Sequence, residues 1–285
     1  MVIPMKKVLK NIKGYMKTSK LGTVAAIVIL LVVVIAIIAP GIAPYDPDET
    51  NLLLSLKPSS PEHLFGTDMN GRDIFSRIIY GSRTVFLGTI VVVAISTVIG
   101  VFLGTISGYF GGLVDSIISR ILDVASAFPS LLLAFVIVAA FGNGIRNTAI
   151  ALSVVYIPLM ARVVRSVTLV EKNKCYVEAA RSMHFSDARI LFGHILPNCM
   201  PIIVVQMTTN MSYSLLDIAA MSYLGLGVVP PQSDWGSMLS EGSAYIMMAP
   251  NACIAAGVAI VLVVVCFNLF GDGLQDFFDP SLRKE

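Results

Sequence analysis

The sequence predicts an all-α, polytopic membrane protein of six transmembrane helices with both termini in the cytoplasm. Composition is the first ground: with 56% hydrophobic and 13% charged residues and a mean hydropathy of +0.82, the 285-residue chain is too apolar for a soluble domain of its length. The second is the uncharged run from Leu21 to about Pro40, which reaches the roughly 20 residues needed to cross the hydrocarbon layer. The third is the placing of basic residues, which gather before that run and again after the fourth span. A formal net charge of +2 gives no signal for nucleic acid.

Lys6, Lys7, Lys10, Lys13, Lys17 and Lys20 precede the first helix and put its start inside. Its apolar core is longer than that of a cleaved signal peptide, so residues 1–43 are expected to be a cytoplasmic start and a retained helix. Residues 44–83 then turn polar, with Asp46, Asp48, Glu49, Pro58, Pro61 and Glu62, and fall on the outer side if the first helix starts inside. Within them Asp68, Arg72, Asp73 and Arg77 lack calcium-loop spacing and any nucleophile-base arrangement. A folded, salt-bridged cap is expected there instead.

Residues 84–285 form the expected core of five helices. The second span, about Val85 to Ser107, carries Gly100, Gly104 and, just past its end, Gly108, which share one face and predict tight contact with a neighbouring helix. The third is entered through Asp115, Arg120 and Asp123 and contains Pro129, which predicts a kink. Gly142-Asn143-Gly144 turns the chain into the fourth span, about Ile145 to Val164. The fifth, about Pro201 to Leu226, carries Gln206, Asn210, Tyr213 or Ser214, and Asp217 at three- or four-residue spacing. Polar groups are costly in hydrocarbon, so this stripe faces the bundle interior, either lining a path or bonding helices together. Trp235, the single tryptophan, reads as interfacial or external, and the sixth span covers about Ala252 to Phe270.

Metal chemistry has no footing in the pattern. Cys175, Cys199, Cys253 and Cys266 show no paired spacing, and His63, His184 and His194 show no ligand spacing, so neither a disulfide framework nor a metal site is expected. The 13 methionines, Met207, Met211 and Met221 among them, read as flexible core filler before soft-metal ligands.

The polar loop between the fourth and fifth spans, residues 166–200, is the informative stretch. Arg162, Arg165, Lys172, Lys174, Arg181 and Arg189 mark it as cytoplasmic. Tyr176, Ala179, Ala180 and Met183 recur at helical spacing and predict one face of a short helix, on which two alanines permit close approach. His184 stands where the chain bends, and histidine is among the non-glycine residues that tolerate positive φ. Ser186 is placed to cap a second short helix carrying Ile190, Leu191 and Ile195, which Pro197 is expected to stop.

The run Glu178-Ala179-Ala180-Arg181-Ser182-Met183-His184, continuing to Leu196-Pro197, resembles the EAA signature of ABC importer membrane subunits, although that family usually has glycine where His184 stands. Phe65-Gly66-Thr67-Asp68 through Arg77 is similar to the G-T-D-x-x-G-R-D-x-F-S-R stretch of peptide and nickel permeases. Ser222 to Gly227, Pro230-Pro231, Trp235-Gly236 and the closing Gly271-Asp272-Gly273-Leu274 with Asp279-Pro280 resemble the same subgroup. Almost the whole chain thus resembles the C-type permease of dipeptide, oligopeptide and nickel ABC importers.

That resemblance implies the type I importer permease fold in a prokaryotic plasma (inner) membrane. It implies as partners a second homologous permease, two ATPase subunits, an extracytoplasmic substrate-binding protein and membrane lipid. It gives Glu178, Ala179, Ala180, Arg181, His184, Leu196 and Pro197 the role of coupling to the ATPase, Ala179 and Ala180 as the close-contact face, Glu178 and Arg181 at its rim. Gln206, Asn210 and Asp217 become the candidate translocation path. No G-x-x-x-x-G-K-[ST] loop occurs in the chain, so ATP and its magnesium are expected on the partner ATPases and no cofactor here. The expected cargo is a dipeptide or oligopeptide, with nickel as the alternative and an ion-coupled secondary carrier as the alternative of another class.

Overall fold

The computed structural model describes residues 14–16 and 18–278. Of the basic cluster at the start only Lys20 is among them, and Asp279-Pro280 lies beyond them. Five helices are long and apolar enough to cross a membrane, and a bent pair makes a sixth if it counts as one span, among the described residues.

Helix α1 (Lys20–Ile42) is capped by Ser19, whose Oγ accepts the amide of Gly22 at 3.0 Å. It packs on α2 and α10 and leaves Leu21, Ile27, Leu30 and Ile37 exposed, as a helix against lipid does. Helix α2 (Ile74–Phe110) begins at Ile74, well before the expected start near Val85. The reason is Asp73, an N-cap whose Oδ2 accepts the Ser76 amide at 2.8 Å. At about 1.5 Å per residue, α2 is roughly 55 Å long and overshoots a hydrocarbon core of about 30 Å.

Helices α3 (Gly112–Ser126) and α4 (Ser130–Phe141) meet at 84°, so the kink expected at Pro129 is a near right-angled break. Proline at the start of α4 forgoes an amide that a helix N-terminus leaves unbonded anyway. Helix α5 (Ile145–Glu171) packs along α2 as the centre of the bundle. The glycine face predicted on α2 makes this contact: a Cβ at Gly100 would stand 2.7 Å from Met160 Cβ, and one at Gly108 would stand 2.8 Å from the Arg165 carbonyl.

Short helices α6 (Cys175–Ser182) and α7 (Asp187–Ile190) follow. A π-helical turn, Leu191–Ile195, then joins α7 to α8 (Leu196–Tyr223) without interruption. Pro197 therefore does not stop the helix, contrary to expectation. It falls just after the wide turn, whose shifted register relieves the clash and missing bond a proline causes inside an α-helix. Helices α9 (Trp235–Ser243) and α10 (Asn251–Phe278) complete the chain.

The salt-bridged cap forms as predicted, with one partner the sequence did not reveal. Asp68 Oδ2 takes Arg72 Nε at 2.8 Å and Arg77 Nη1 at 2.6 Å, and Glu241 Oε2 on α9 takes the same two arginines at 2.6 and 2.8 Å. His63 Nδ1 lies 3.0 Å from Asp73 Oδ1. Trp235 is buried under this cap, with Nε1 donating to the Ile78 carbonyl at 3.0 Å.

Candidate functional site

The loop between α5 and α8 is built on a buried apolar floor. Val177 and Ala180 of α6 pack with Ile190, Leu191, Ile195 and Cys199, against Met160 and Val164 of α5. This divides the predicted face. Ala180 is 2% exposed and turned into the chain's own core, whereas Glu178, Ala179, Arg181 and Met183 are exposed. Ala179 and Ala180 thus do not share a contact face, because packing on α5 selects Val177 and Ala180 as the inward pair.

The bend after α6 has a defined geometry. His184 has φ +57°, its amide bonds the Arg181 carbonyl at 2.8 Å, and the Phe185 amide bonds the Ala180 carbonyl at 3.2 Å. These two bonds form a Schellman cap with His184 in the left-handed position that glycine usually fills. The positive φ expected of His184 is therefore present. Phe185 then packs against the cluster holding Ala180, and its ring stacks on His194 at 5.9 Å under the Arg189 guanidinium at 4.1 Å.

Polar ties fasten the loop to α2 and α5. Tyr109 of α2 donates to Asp187 Oδ1 at 2.5 Å, and the Arg181 guanidinium lies 5.5 Å over the Tyr109 ring. Glu171 accepts from Lys174 Nζ at 2.5 Å and from Tyr176 Oη at 2.7 Å. Burial, together with the hydrogen bond to Glu171, pushes the Tyr176 hydroxyl up to about 12, so it stays a donor. Lys172 Nζ caps the Gly108 carbonyl at 2.7 Å, and Arg165 grips Asp115 of α3 with Nε at 2.5 Å and Nη2 at 2.6 Å. Tyr109, Glu171 and Asp187 carried no signal in the sequence, since each is defined by a partner on another element. Leu196 is half-buried and Pro197 exposed at the start of α8.

The polar stripe lies further along α8. Gln206 Nε2 donates to Asn210 Oδ1 at 2.9 Å, and Asn210, 1% exposed, keeps its Nδ2 without a partner. Asp217, half-buried, accepts from Tyr156 Oη of α5 at 2.8 Å, while Ser212 Oγ donates to the Val264 carbonyl of α10 at 3.3 Å. Tyr213 is exposed, so Ser214, fully buried, is the one of the two that continues the inward face. Loop and stripe belong to one rod: α7, the π turn and α8 run unbroken from Asp187 to Tyr223.

Comparison with known proteins identifies the family. Residues 100–284 match the family described as binding-protein-dependent transport system inner membrane component, and residues 14–58 match the N-terminal TM domain of oligopeptide transport permease C. The chain is 40% identical over 269 residues to the dipeptide transport system permease protein DppC of Alkalihalophilus pseudofirmus, covering 94% of this chain and 88% of that protein. It is 45% identical over 260 residues to the glutathione transport system permease protein GsiD of Shigella flexneri serotype 5b, covering 91% and 86%. A solved chain of the MetNI methionine ABC transporter in inward-facing conformations superimposes with TM-score 0.59 at 19% identity, over 72% of this chain and 97% of that one, which shows a shared fold. Permeases of this kind are transport components with no ATPase site of their own. The chain belongs to the binding-protein-dependent transport system inner membrane components, as a C-type permease of an ABC importer.

Proposed function

We propose that the chain forms half of the translocation pathway of an ATP-driven importer for dipeptides or oligopeptides. As a member of its family it works with ATPase subunits and a substrate-binding protein. A second homologous permease completes the pore, one of two ATPase subunits docks on residues 166–200, and the binding protein delivers cargo on the far side. In this reading both termini lie in the cytoplasm. Two relatives carry the names of peptide transporters, for dipeptide and for glutathione, which favours peptide over nickel. Family membership sets aside the ion-coupled carrier.

The observation that carries the coupling is the continuous helix from Asp187 to Tyr223. Closure of the ATPases displaces α6 and α7. Because the loop is bonded to α8 without a break, and to α2 and α5 through Tyr109 and Glu171, the displacement passes to the helices bearing Gln206, Asn210 and Asp217. Exposed Glu178, Ala179 and Arg181 meet the ATPase, and His184 sets the bend that presents them.

ATP-dependent uptake by vesicles holding the full assembly, with a labelled dipeptide compared with nickel, tests the reading. Dipeptide uptake that stops when the ATPase is disabled is the expected result. Nickel uptake alone would move the chain to the metal branch.

A further inference from the structure

Between α2 and α5, at the membrane face that carries residues 44–73, lies a cavity of about 790 Å³. Its rim and its floor differ in chemistry. The rim gathers Asp46 and Asp48 from the segment after α1, Arg83 from α2, and Arg146 from the first turn of α5. The floor is apolar, formed by Leu87, Val91, Ile95, Ala149 and Ile150.

Asp46 Oδ1 accepts the Asp48 amide at 2.9 Å, but the other rim charges are unspent. Neither Arg83 nor Arg146 has an ion pair or hydrogen bond among the described residues. Asp48 Oδ1 is shielded from water and has no hydrogen-bond partner. Burial, and then the neighbouring Asp46, push the Asp48 carboxyl up against the opposing pull of Arg77 and Arg72, so its charge is under-compensated where it stands. A buried polar atom left unpaired is costly, so a donor at this point has a defined value to the fold.

The depth of the groove matches a lipid leaflet. Arg83 is the last charged residue of α2, and Arg146 precedes the apolar run of α5. Both stand at the head of an apolar run, which is headgroup level for helices that cross a bilayer. From residue 83 to residue 95 the helix descends about 18 Å, a little over half of a hydrocarbon core of about 30 Å. Leu87 is 62% exposed and Ile150 43%, so the floor is open along one side at the surface of this chain.

We propose that this cavity binds a zwitterionic aminophospholipid of the phosphatidylethanolamine type. Asp46 and Asp48 hold the ammonium, Arg83 and Arg146 hold the phosphate, and one acyl chain lies along Leu87, Val91 and Ile95. A purely anionic headgroup would satisfy the arginines and leave two carboxylates opposed to it. A peptide reaching onto the floor would leave its amides unpaired beside hydrocarbon, whereas an acyl chain requires no polar partner there.

The test places a photoreactive side chain in the groove. The full assembly carrying Leu87→benzoylphenylalanine is irradiated in vesicles of mixed phosphatidylethanolamine and phosphatidylglycerol, and the labelled chain is weighed. The expected product is an adduct of phosphatidylethanolamine mass, in excess over phosphatidylglycerol, and lowered at least about tenfold when Arg83→Gln and Arg146→Gln together remove both phosphate contacts. Asp48→Asn should erase the preference between the two lipids. Equal labelling by both lipids in the otherwise native chain, an adduct to a neighbouring subunit or to added dipeptide, or no adduct at all would each overturn the proposal. The lipid comparison needs no charge variant, so it stands even if those variants fail to assemble.

Discussion

Tyr156 donates its hydroxyl to Asp217 Oδ2 at 2.8 Å, and this bond ties α5 to α8. The two helices flank the loop directly, so the pair sits where any relative motion of α5 and α8 is felt. Tyr156 is 3% exposed, with no room for water to replace it freely.

Tyr156→Phe removes the donor and leaves the carboxyl half-buried without it. Cross-helix hydrogen bonds in membranes average about 0.6 kcal/mol and reach about 1.7 kcal/mol, so a loss of about 1 kcal/mol is expected. A double-mutant cycle with Asp217→Asn, read by thermal unfolding of the full assembly, should give a coupling energy of that size. Zero coupling would mean that the bond does not hold the helices together.

His184 occupies a left-handed position without the freedom of glycine. His184→Gly should stabilise the bend by about 0.5–1 kcal/mol, and His184→Val should weaken it by more, since a β-branched side chain fits positive φ worst. Hydrogen exchange of the Arg181 to Phe185 amides reads this locally. Faster exchange in the glycine variant would show that the imidazole itself holds the loop, through the stack on Phe185 or otherwise.

Ala179 and Ala180 separate docking from folding. Ala179→Arg points outward and should leave the protein at normal level in the membrane while abolishing ATP-dependent uptake and co-purification of the ATPase. Ala180→Arg places a charge in a site that is 2% exposed, so it should deplete the folded chain itself. Normal uptake by Ala179→Arg would remove the exposed face of α6 from the coupling surface.

What could be read in advance follows from how far apart the partners lie. The apolar spans and the glycine face of α2 depend on composition and on spacing within one helix, and they appear, with the second starting earlier than expected at Ile74 and the third broken at Pro129. The inward face of α6 could not be chosen, because in an eight-residue helix Ala179 and Ala180 both fit a three- or four-residue pattern and only α5 decides between them. Glu241 was invisible for another reason: it completes the cap from 169 residues away from Arg72. The run through Pro197 depends on a π turn, a register shift with no propensity signature.

The cap predicts a further loss. Glu241 Oε2 serves both Arg72 and Arg77, which are 3% and 1% exposed. Glu241→Gln would leave two guanidiniums sharing the single carboxylate of Asp68, at a cost of about 1–3 kcal/mol. Thermal unfolding should fall accordingly, with uptake unchanged below the new transition.

Glycines on α2 and α10 should respond with opposite signs. A Cβ at Gly104 meets the Ala161 backbone carbonyl, which cannot turn aside, so Gly104→Ala must push α2 off α5. Overpacking of this kind costs about 1–3 kcal/mol. Gly257 of α10 has its nearest neighbour, Leu239 Cδ1, at an ordinary 3.8 Å. Gly257→Ala therefore gains from helix propensity, by up to about 1 kcal/mol. Thermal unfolding of the two variants in one background checks the pair. A stabilised Gly104→Ala would show that α2 and α5 are not in backbone contact, and the close approach that sets the geometry of the whole bundle would have to be redrawn.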